Sequence, residues 1–231
     1  MEVGVRILAI GDLHGCSAAL DALLAAVKPT SEDVIITLGD YVDRGPDSKG
    51  VIDRLLALQQ THELVPIIGN HDQMMLDARD GRACDWLVGY GLPTLASYAR
   101  GGGKGSLDDV PDAHWDFLTG CRDLHETATH VFVHANLHPE LDLDEQPPYV
   151  TRWESLRASS AVAHRSGKTM VCGHTSQKTG KPLNLGHAIC IDTYAHGGGW
   201  LTCLDAVTGQ VWQASQQGRV QTAWIDEFQA S

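Results

Sequence analysis

The sequence predicts an α/β fold built on parallel strands, and three observations carry that prediction. Five short apolar runs, at 5–10, 34–38, 64–68, 131–133 and 169–172, are rich in β-branched and aliphatic residues, as buried strands are. Helical patterns lie between the first three, and strand–helix–strand alternation brings parallel pairing through right-handed crossovers. Each run is followed at once by Gly, Asp, Asn or His. Open α/β sheets bind ligands outside the carboxyl ends of their strands.

Taken in order, the elements support this reading. The run 5–10 (VRILAI) opens the sheet, and 17–27 (SAALDALLAAV) is a strong helix former that stops near Pro29. After 34–38 (VIITL), the stretch 48–60 (SKGVIDRLLALQQ) places apolar residues at 51, 52, 55, 56 and 58, one helix face. The third strand follows at 64–68. From 73 to 120 the pattern reads as a helical insertion, broken at 100–106 (RGGGKGS) by a mobile loop. Two more strands follow at 131–133 and 169–172. The last third predicts an antiparallel meander of 188–192, 200–204 and 210–214, separated by Gly-rich turns. No repeat interrupts the chain, so 1–231 is expected to form one domain.

Bulk properties narrow the partners. With 29 acidic against 17 basic side chains, the formal charge is −12. Such a surface argues against nucleic acid and against an anionic membrane. No apolar run approaches the ~20 residues of a membrane span. The six cysteines form no CxxC pair, and their wide spacing is unlike a disulfide scaffold. Cys172, Cys190 and Cys203 sit in apolar runs and are expected to be buried thiols. The start lacks the layout of a signal peptide. A reducing cytoplasm is the expected setting.

The chemistry lies at the strand ends. The first run is followed by Gly11-Asp12-Leu13-His14-Gly15 and the second by Gly39-Asp40-Tyr41-Val42-Asp43-Arg44-Gly45. The third is followed by Gly69-Asn70-His71-Asp72, the fourth by His134, and the fifth by Gly173-His174-Thr175. Carboxylates, imidazoles and one amide form a mixed nitrogen and oxygen donor set. It suits Mn, Fe or Zn, with Mn²⁺ the expected ion. The number of donors predicts two divalent ions, with Asp40 able to bridge them. Paired ions of this kind clamp the attacking and leaving oxygens of an in-line displacement at phosphorus.

In that order, GDLHG, GDYVDRG, GNHD, VHA and GHT resemble the phosphoprotein phosphatase branch of the metallophosphoesterases, closest to small bacterial and bacteriophage enzymes. The resemblance covers residues 7–193. It implies a metallophosphoesterase-type αββα sandwich, two metals and a bridging hydroxide. By motif, Asp12 and His14 would hold the first metal, Asp40 would bridge, and Asn70, His134 and His174 would hold the second. His71 resembles the general acid, with Asp43 orienting its ring. Arg44 resembles a phosphate clamp, and Arg152 in YVTRWES a second one, although the tryptophan of the family's W-x-R element is displaced. A planar guanidinium suits that role because it binds two phosphate oxygens at once. Tyr194, where the family has glycine, would line the pocket rim.

The resemblance implies a serine/threonine-type phosphatase acting on phosphorylated protein or a small phosphoester. Symmetrical dinucleoside tetraphosphate hydrolases of the same fold are the alternative. They share the GNHD block, in which Asp72 takes the place of the phosphatases' Glu. They usually lack an Asp at the position of Asp43. Blander readings hold elsewhere. His62, His114, His125, His130, His138, His164, His187 and His196 match no motif and read as ordinary hydrogen-bonding residues. Trp86, Leu87, Tyr90 and Leu92 read as helix packing more readily than as a substrate wall. No C-x5-R loop is present, which excludes a cysteine-nucleophile phosphatase.

Overall fold

The computed structural model describes residues 5–99 and 103–230. Of the glycine-rich break at 100–106, residues 100–102 therefore lie outside the described residues. The first half runs β1 (Ile7–Ile10), α1 (Ser17–Val27), β2 (Val34–Thr37), α2 (Ser48–Gln59), β3 (Glu63–Pro66) and α3 (Asn70–Arg79). The insertion continues with α4 (Cys84–Val88), α5 (Leu92–Tyr98) and α6 (Asp112–Thr119). Next come β4 (Leu124–Glu126), β5 (His130–Val133), α7 (Pro148–Trp153), β6 (Thr169–Cys172), β7 (Leu183–Asn184) and β8 (Ala188–Cys190). Strands β9 (Leu201–Asp205), β10 (Gln210–Ala214) and β11 (Val220–Trp224) follow.

These strands form two sheets, in the orders β11-β10-β9-β1-β2-β3 and β4-β5-β6-β8-β7. The predicted parallel pairs are present: Ile7 pairs with Val34, and Val34 with Glu63. The expected meander is corrected at its first member. β8 pairs in parallel with β6 in the second sheet, while β9, β10 and the unpredicted β11 form the antiparallel ribbon of the first. The reason is burial on both faces. All three β8 residues are buried, as suits a strand covered on two sides, whereas β11 is largely exposed and lies at a sheet edge.

Side-chain alternation shows how the layers stack. Leu8, Ile10 and Ile35 point to the core beneath α1, α2 and the helical insertion. Their neighbours Ala9, Ile36 and Val65 point the other way, against Phe132, Val171 and Ile189 of the second sheet. The far face of that sheet, Val131, Val133, Met170 and Cys172, is covered by Leu137, Leu143 and Leu156 from the segments flanking α7. The result is the α/β/β sandwich with a thin outer layer of short helices and loops. Among the described residues, no helix is long and apolar enough to cross a membrane.

Candidate active site

The carboxyl ends of β1, β2, β3, β5 and β6 converge. Close packing there depends on glycine: a Cβ at Gly173 would collide with Asp12 Oδ1, and one at Gly69 with Asp40 Oδ1. Asp72 ties two of the loops together. Its side chain accepts from Gly69 N and from Tyr41 N, both at 2.9 Å, so it caps α3 and fixes the loop after β2.

Asp40 stands at the centre, 2 % exposed. Its Oδ2 lies 3.3 Å from His14 Nε2 and its Oδ1 3.5 Å from His134 Nε2. Asn70 Oδ1 lies 3.1 Å from both His134 Nε2 and His174 Nδ1. Asp12 accepts from the backbone N–H of His174 at 3.0 and 3.1 Å. All six residues expected to hold metal are thus brought together. The arrangement yields two groups of potential ligands that share Asp40: one with His14 and His71, the other with His134 and His174.

The imidazole tautomers test whether cations fit. The other ring nitrogen of each histidine faces a backbone carbonyl: His14 Nδ1 that of Val42 at 2.9 Å, His134 Nδ1 that of Leu38 at 2.6 Å, and His174 Nε2 that of Trp153 at 3.0 Å. A carbonyl only accepts, so those nitrogens carry the protons. Burial pushes His14 down to about 3 and His174 to about 4, so both rings are neutral. Their unprotonated nitrogens therefore aim lone pairs inward, and that of His14 faces a carboxylate oxygen of Asp40. Acceptor against acceptor is unfavourable without a cation between them, and neutral imidazole with a carbonyl-anchored N–H is the usual metal-binding form. Burial, with Asp192 and Asp40 close by, pushes Asp12 well above the usual carboxylate range, a repulsion that cations would also relieve. Burial opposes ionisation of Asp40 as well, yet its surroundings, the backbone N–H of His71 at 3.0 Å among them, outweigh burial and hold its carboxyl low. The donor set fits two divalent ions.

His71 is placed differently from the three carbonyl-anchored rings. Its Nδ1 lies 2.7 Å from Asp43 Oδ2, and its Nε2 lies 3.1 Å from Arg44 Nη2. Burial lowers its pKa, but Asp40 and Asp43 outweigh burial and raise it. The ring is thus held by a carboxylate at Nδ1 and faces the exposed guanidinium of Arg44 at Nε2, a setting in which an imidazole can take part in acid–base chemistry. Arg44 is exposed, with its guanidinium over the site. Arg152 lies at the edge: it donates to Asp123 from Nε and Nη2, at 2.8 and 2.6 Å, and to Gln73, one turn of α3 beyond Asn70. Tyr194 sits at the rim, its ring 4.7 Å from that of His196.

Three residues of the site escaped the sequence reading. His196 stacks edge-on against His14 with centroids 4.7 Å apart, so it is not an ordinary surface histidine. Only the run Ala195-His196-Gly197-Gly198-Gly199 after Tyr194 hinted at a special turn. Tyr90, which read as helix packing, is 60 % exposed with its ring 5.5 Å from that of His71. Trp86 is buried as expected, but its indole N–H donates to Asp43.

Fold and site together define a metal-dependent phosphoester hydrolase. A family model described as calcineurin-like phosphoesterase matches residues 5–178, and the chain belongs to that family, whose members use a dinuclear metal site. It is 29% identical over 201 residues to serine/threonine-protein phosphatase 1 of Salmonella typhimurium, covering 84% of this chain and 88% of that protein. It is 30% identical over 159 residues to the symmetrical bis(5'-nucleosyl)-tetraphosphatase of Nitrosospira multiformis, covering 67% of this chain and 52% of that one. The chain thus spans about half the length of that tetraphosphatase. A crystal structure provisionally described as a diadenosine tetraphosphatase superposes with a TM-score of 0.65 at 22% identity, covering 96% of this chain and 95% of that one. At that identity the likeness shows the fold alone.

Proposed function

We propose that the chain, acting as one domain, is a phosphomonoester hydrolase of the serine/threonine protein phosphatase type. The observation that carries the reading is the row Asp43–His71–Arg44, with contacts of 2.7 and 3.1 Å, beside the two ligand groups. A relative matched over most of both chains is named a protein phosphatase, which supports the same reading.

When bound, two divalent ions supply a nucleophilic oxygen near neutral pH and neutralise charge at phosphorus, with Mn²⁺ the ion proposed. Asp12, His14, Asp40, Asn70, His134 and His174 would hold them. Arg44 binds a non-bridging phosphoryl oxygen. That contact draws its guanidinium from His71 Nε2 and leaves this nitrogen facing the leaving oxygen. Freed of Arg44, Nε2 takes up a proton from solvent, giving an imidazolium whose Nδ1–H stays on Asp43. His71 passes that Nε2 proton to the departing alkoxide and returns to the neutral ring, while Asp43 keeps it oriented through Nδ1. Arg152 stands ready as a second clamp, once a phosphate competes with Asp123 for its fork.

A terminal phosphoryl group offers two or three free oxygens to these arginines. An internal phosphate of a dinucleoside chain offers fewer and carries bulk on both sides. A second reading, symmetrical hydrolysis of a dinucleoside tetraphosphate, is supported by the Asp72 position shared with those enzymes and equally by the tetraphosphatases among the relatives. The test is a side-by-side measurement of kcat/KM with the Mn²⁺-reconstituted protein on phosphoserine or phosphothreonine peptides and on diadenosine tetraphosphate. An advantage of at least about tenfold for the peptides is expected, or about 1.4 kcal/mol of transition-state stabilisation. Faster symmetrical cleavage of the dinucleotide than of every peptide tried would replace this reading with the second.

A further inference from the structure

Asp43 is a buried carboxylate with no exposed surface, and its hydrogen-bond partners come from four helices, α2, α3, α4 and α5. Oδ2 faces His71 Nδ1 at 2.7 Å and accepts from Trp86 Nε1 at 2.8 Å. Oδ1 accepts from Thr94 Oγ1 at 2.8 Å. The backbone N–H of Asp43 lies 2.8 Å from Thr94 Oγ1 and 3.2 Å from Ser48 Oγ. Thr94 has one hydroxyl proton, and the carboxylate takes it. Ser48 Oγ, 3.1 Å from Thr94 Oγ1, must then donate to it. The side-chain hydroxyls thus donate in one direction, from Ser48 through Thr94 to the Asp43 carboxylate, while the Asp43 backbone N–H donates to both hydroxyl oxygens.

Trp86 and Thr94 belong to the helical insertion, on α4 and α5. The indole N–H is donor only, so it makes one productive contact, and that contact is to the oxygen shared with His71. The ring itself is clamped: Trp86 is 2 % exposed, and a Cβ at Gly91 would strike it. Asp43 also stands at φ +70°, a conformation that costs energy in a residue with a side chain and persists only where surroundings enforce it. Two donors from the insertion, Trp86 and Thr94, supply that enforcement, and Ser48 on α2 adds an acceptor for the Asp43 backbone N–H.

We infer that Trp86 and Thr94 are positioning residues for acid catalysis: through Asp43 they fix the orientation of the His71 ring, so that the helical insertion builds the proton-donating half of the site. This rests on the proposed role of His71 as acid. Neither residue touches substrate or the metal-ligand groups. Their loss should therefore be felt only where the leaving group needs a proton.

The experiment compares wild type with Trp86→Phe, Thr94→Val, Thr94→Ser and His71→Asn in the Mn²⁺-reconstituted full chain. Trp86→Phe keeps an apolar ring and removes the N–H. Thr94→Val removes the hydroxyl, and Thr94→Ser restores it. Each is assayed on an alkyl phosphate monoester and on 4-nitrophenyl phosphate, with metal content by elemental analysis. Trp86→Phe and Thr94→Val should lower kcat on the alkyl ester by about tenfold, the effect of one lost hydrogen bond on an oriented acid. Their kcat on the nitrophenyl ester should stay within about twofold, because nitrophenolate leaves without a proton. KM and metal content should be unchanged, and Thr94→Ser should recover the alkyl rate. Equal losses on both esters, or none, with His71→Asn still selective for the alkyl ester, would overturn this inference and leave the acid assignment standing. A His71→Asn variant without that selectivity would overturn both.

Discussion

Replacing Asp40 with asparagine should disable both halves of the site at once. The two carboxylate oxygens divide between the groups, Oδ2 toward His14 and Oδ1 toward His134. An amide presents an N–H to one of these imidazoles and removes the negative charge that both ions would share. His14→Gln, by contrast, alters only one group. Binding of an ion at about 100 times its Kd stabilises a fold by about 2.7 kcal/mol. For a chain of this length each such ion should raise Tm by about 5–10 °C. Wild type titrated with Mn²⁺ should then rise by about 10–20 °C in differential scanning fluorimetry if both sites fill before unfolding. His14→Gln should lose about half of that rise, and Asp40→Asn nearly all of it. Elemental analysis should find two ions per wild-type chain and a small fraction of that in Asp40→Asn. An Asp40→Asn variant with the full thermal rise and both ions would refute the shared-ligand reasoning, whatever its activity.

Other expectations follow from the same contacts. Arg44→Ala should raise KM for phosphomonoesters and also lower kcat, with kcat/KM down by about a hundredfold, because the lost charge contact strengthens in the transition state. An unchanged kcat would confine Arg44 to ground-state binding. Tyr90→Ala should raise KM for phosphopeptides with an apolar residue beside the phosphoresidue more than KM for a small alkyl phosphate. The expectation rests on the Tyr90 ring lying 5.5 Å from that of His71, the proposed acid, and identical KM changes for both would count against it. Away from the site, Arg6 and the backbone of Thr30 outweigh burial at Asp33 and hold it at about 2. A depressed carboxylate stabilises the fold above its unfolded pKa and loses that contribution as pH falls through the folded value. Asp33→Asn should therefore cost about 2 kcal/mol at pH 7, and the difference from wild type should fade as pH falls from about 5 to about 2. Equal Tm values at pH 7 would count against the Arg6 pairing.

What the sequence made legible was local. Asp12, His14, Asp40, Asn70, His134 and His174 each follow a short apolar run directly, so pattern and chemistry sit within a few residues of each other. The rest depended on contacts between distant segments. Trp86 and Thr94 reach Asp43 across 43 and 51 positions, and nothing in their own neighbourhood distinguishes them from helix packing. His196 meets His14 from the far end of the chain. β8 reads like a member of the meander because burial on both faces, which sends it to the second sheet, comes from layers that a local window does not contain.

Backbone strain separates the residues that act from those that support them. Among the described residues, seven non-glycine positions have positive φ: His14, Lys28, Asp40, Asp43, Arg44, His174 and Tyr194. Lys28 closes α1 in the left-handed form common at helix ends and needs no functional explanation. The other six all lie at the site. Each costs about 1 kcal/mol or more, and such strain survives only where neighbours over-determine the backbone. The over-determination is visible at Asp43, held by Trp86, Thr94 and Ser48, and around Asp40, where Asp72 binds the adjacent Tyr41 N–H. The ring orientations of His14 and His134 are likewise set by the carbonyls of Val42 and Leu38. Hydrogen bonds within the protein thus fix the geometry of the site. The stability that holds it comes from residues that bind neither metal nor phosphate, so substitutions at Asp72, Trp86 or Thr94 act on the site without removing a ligand.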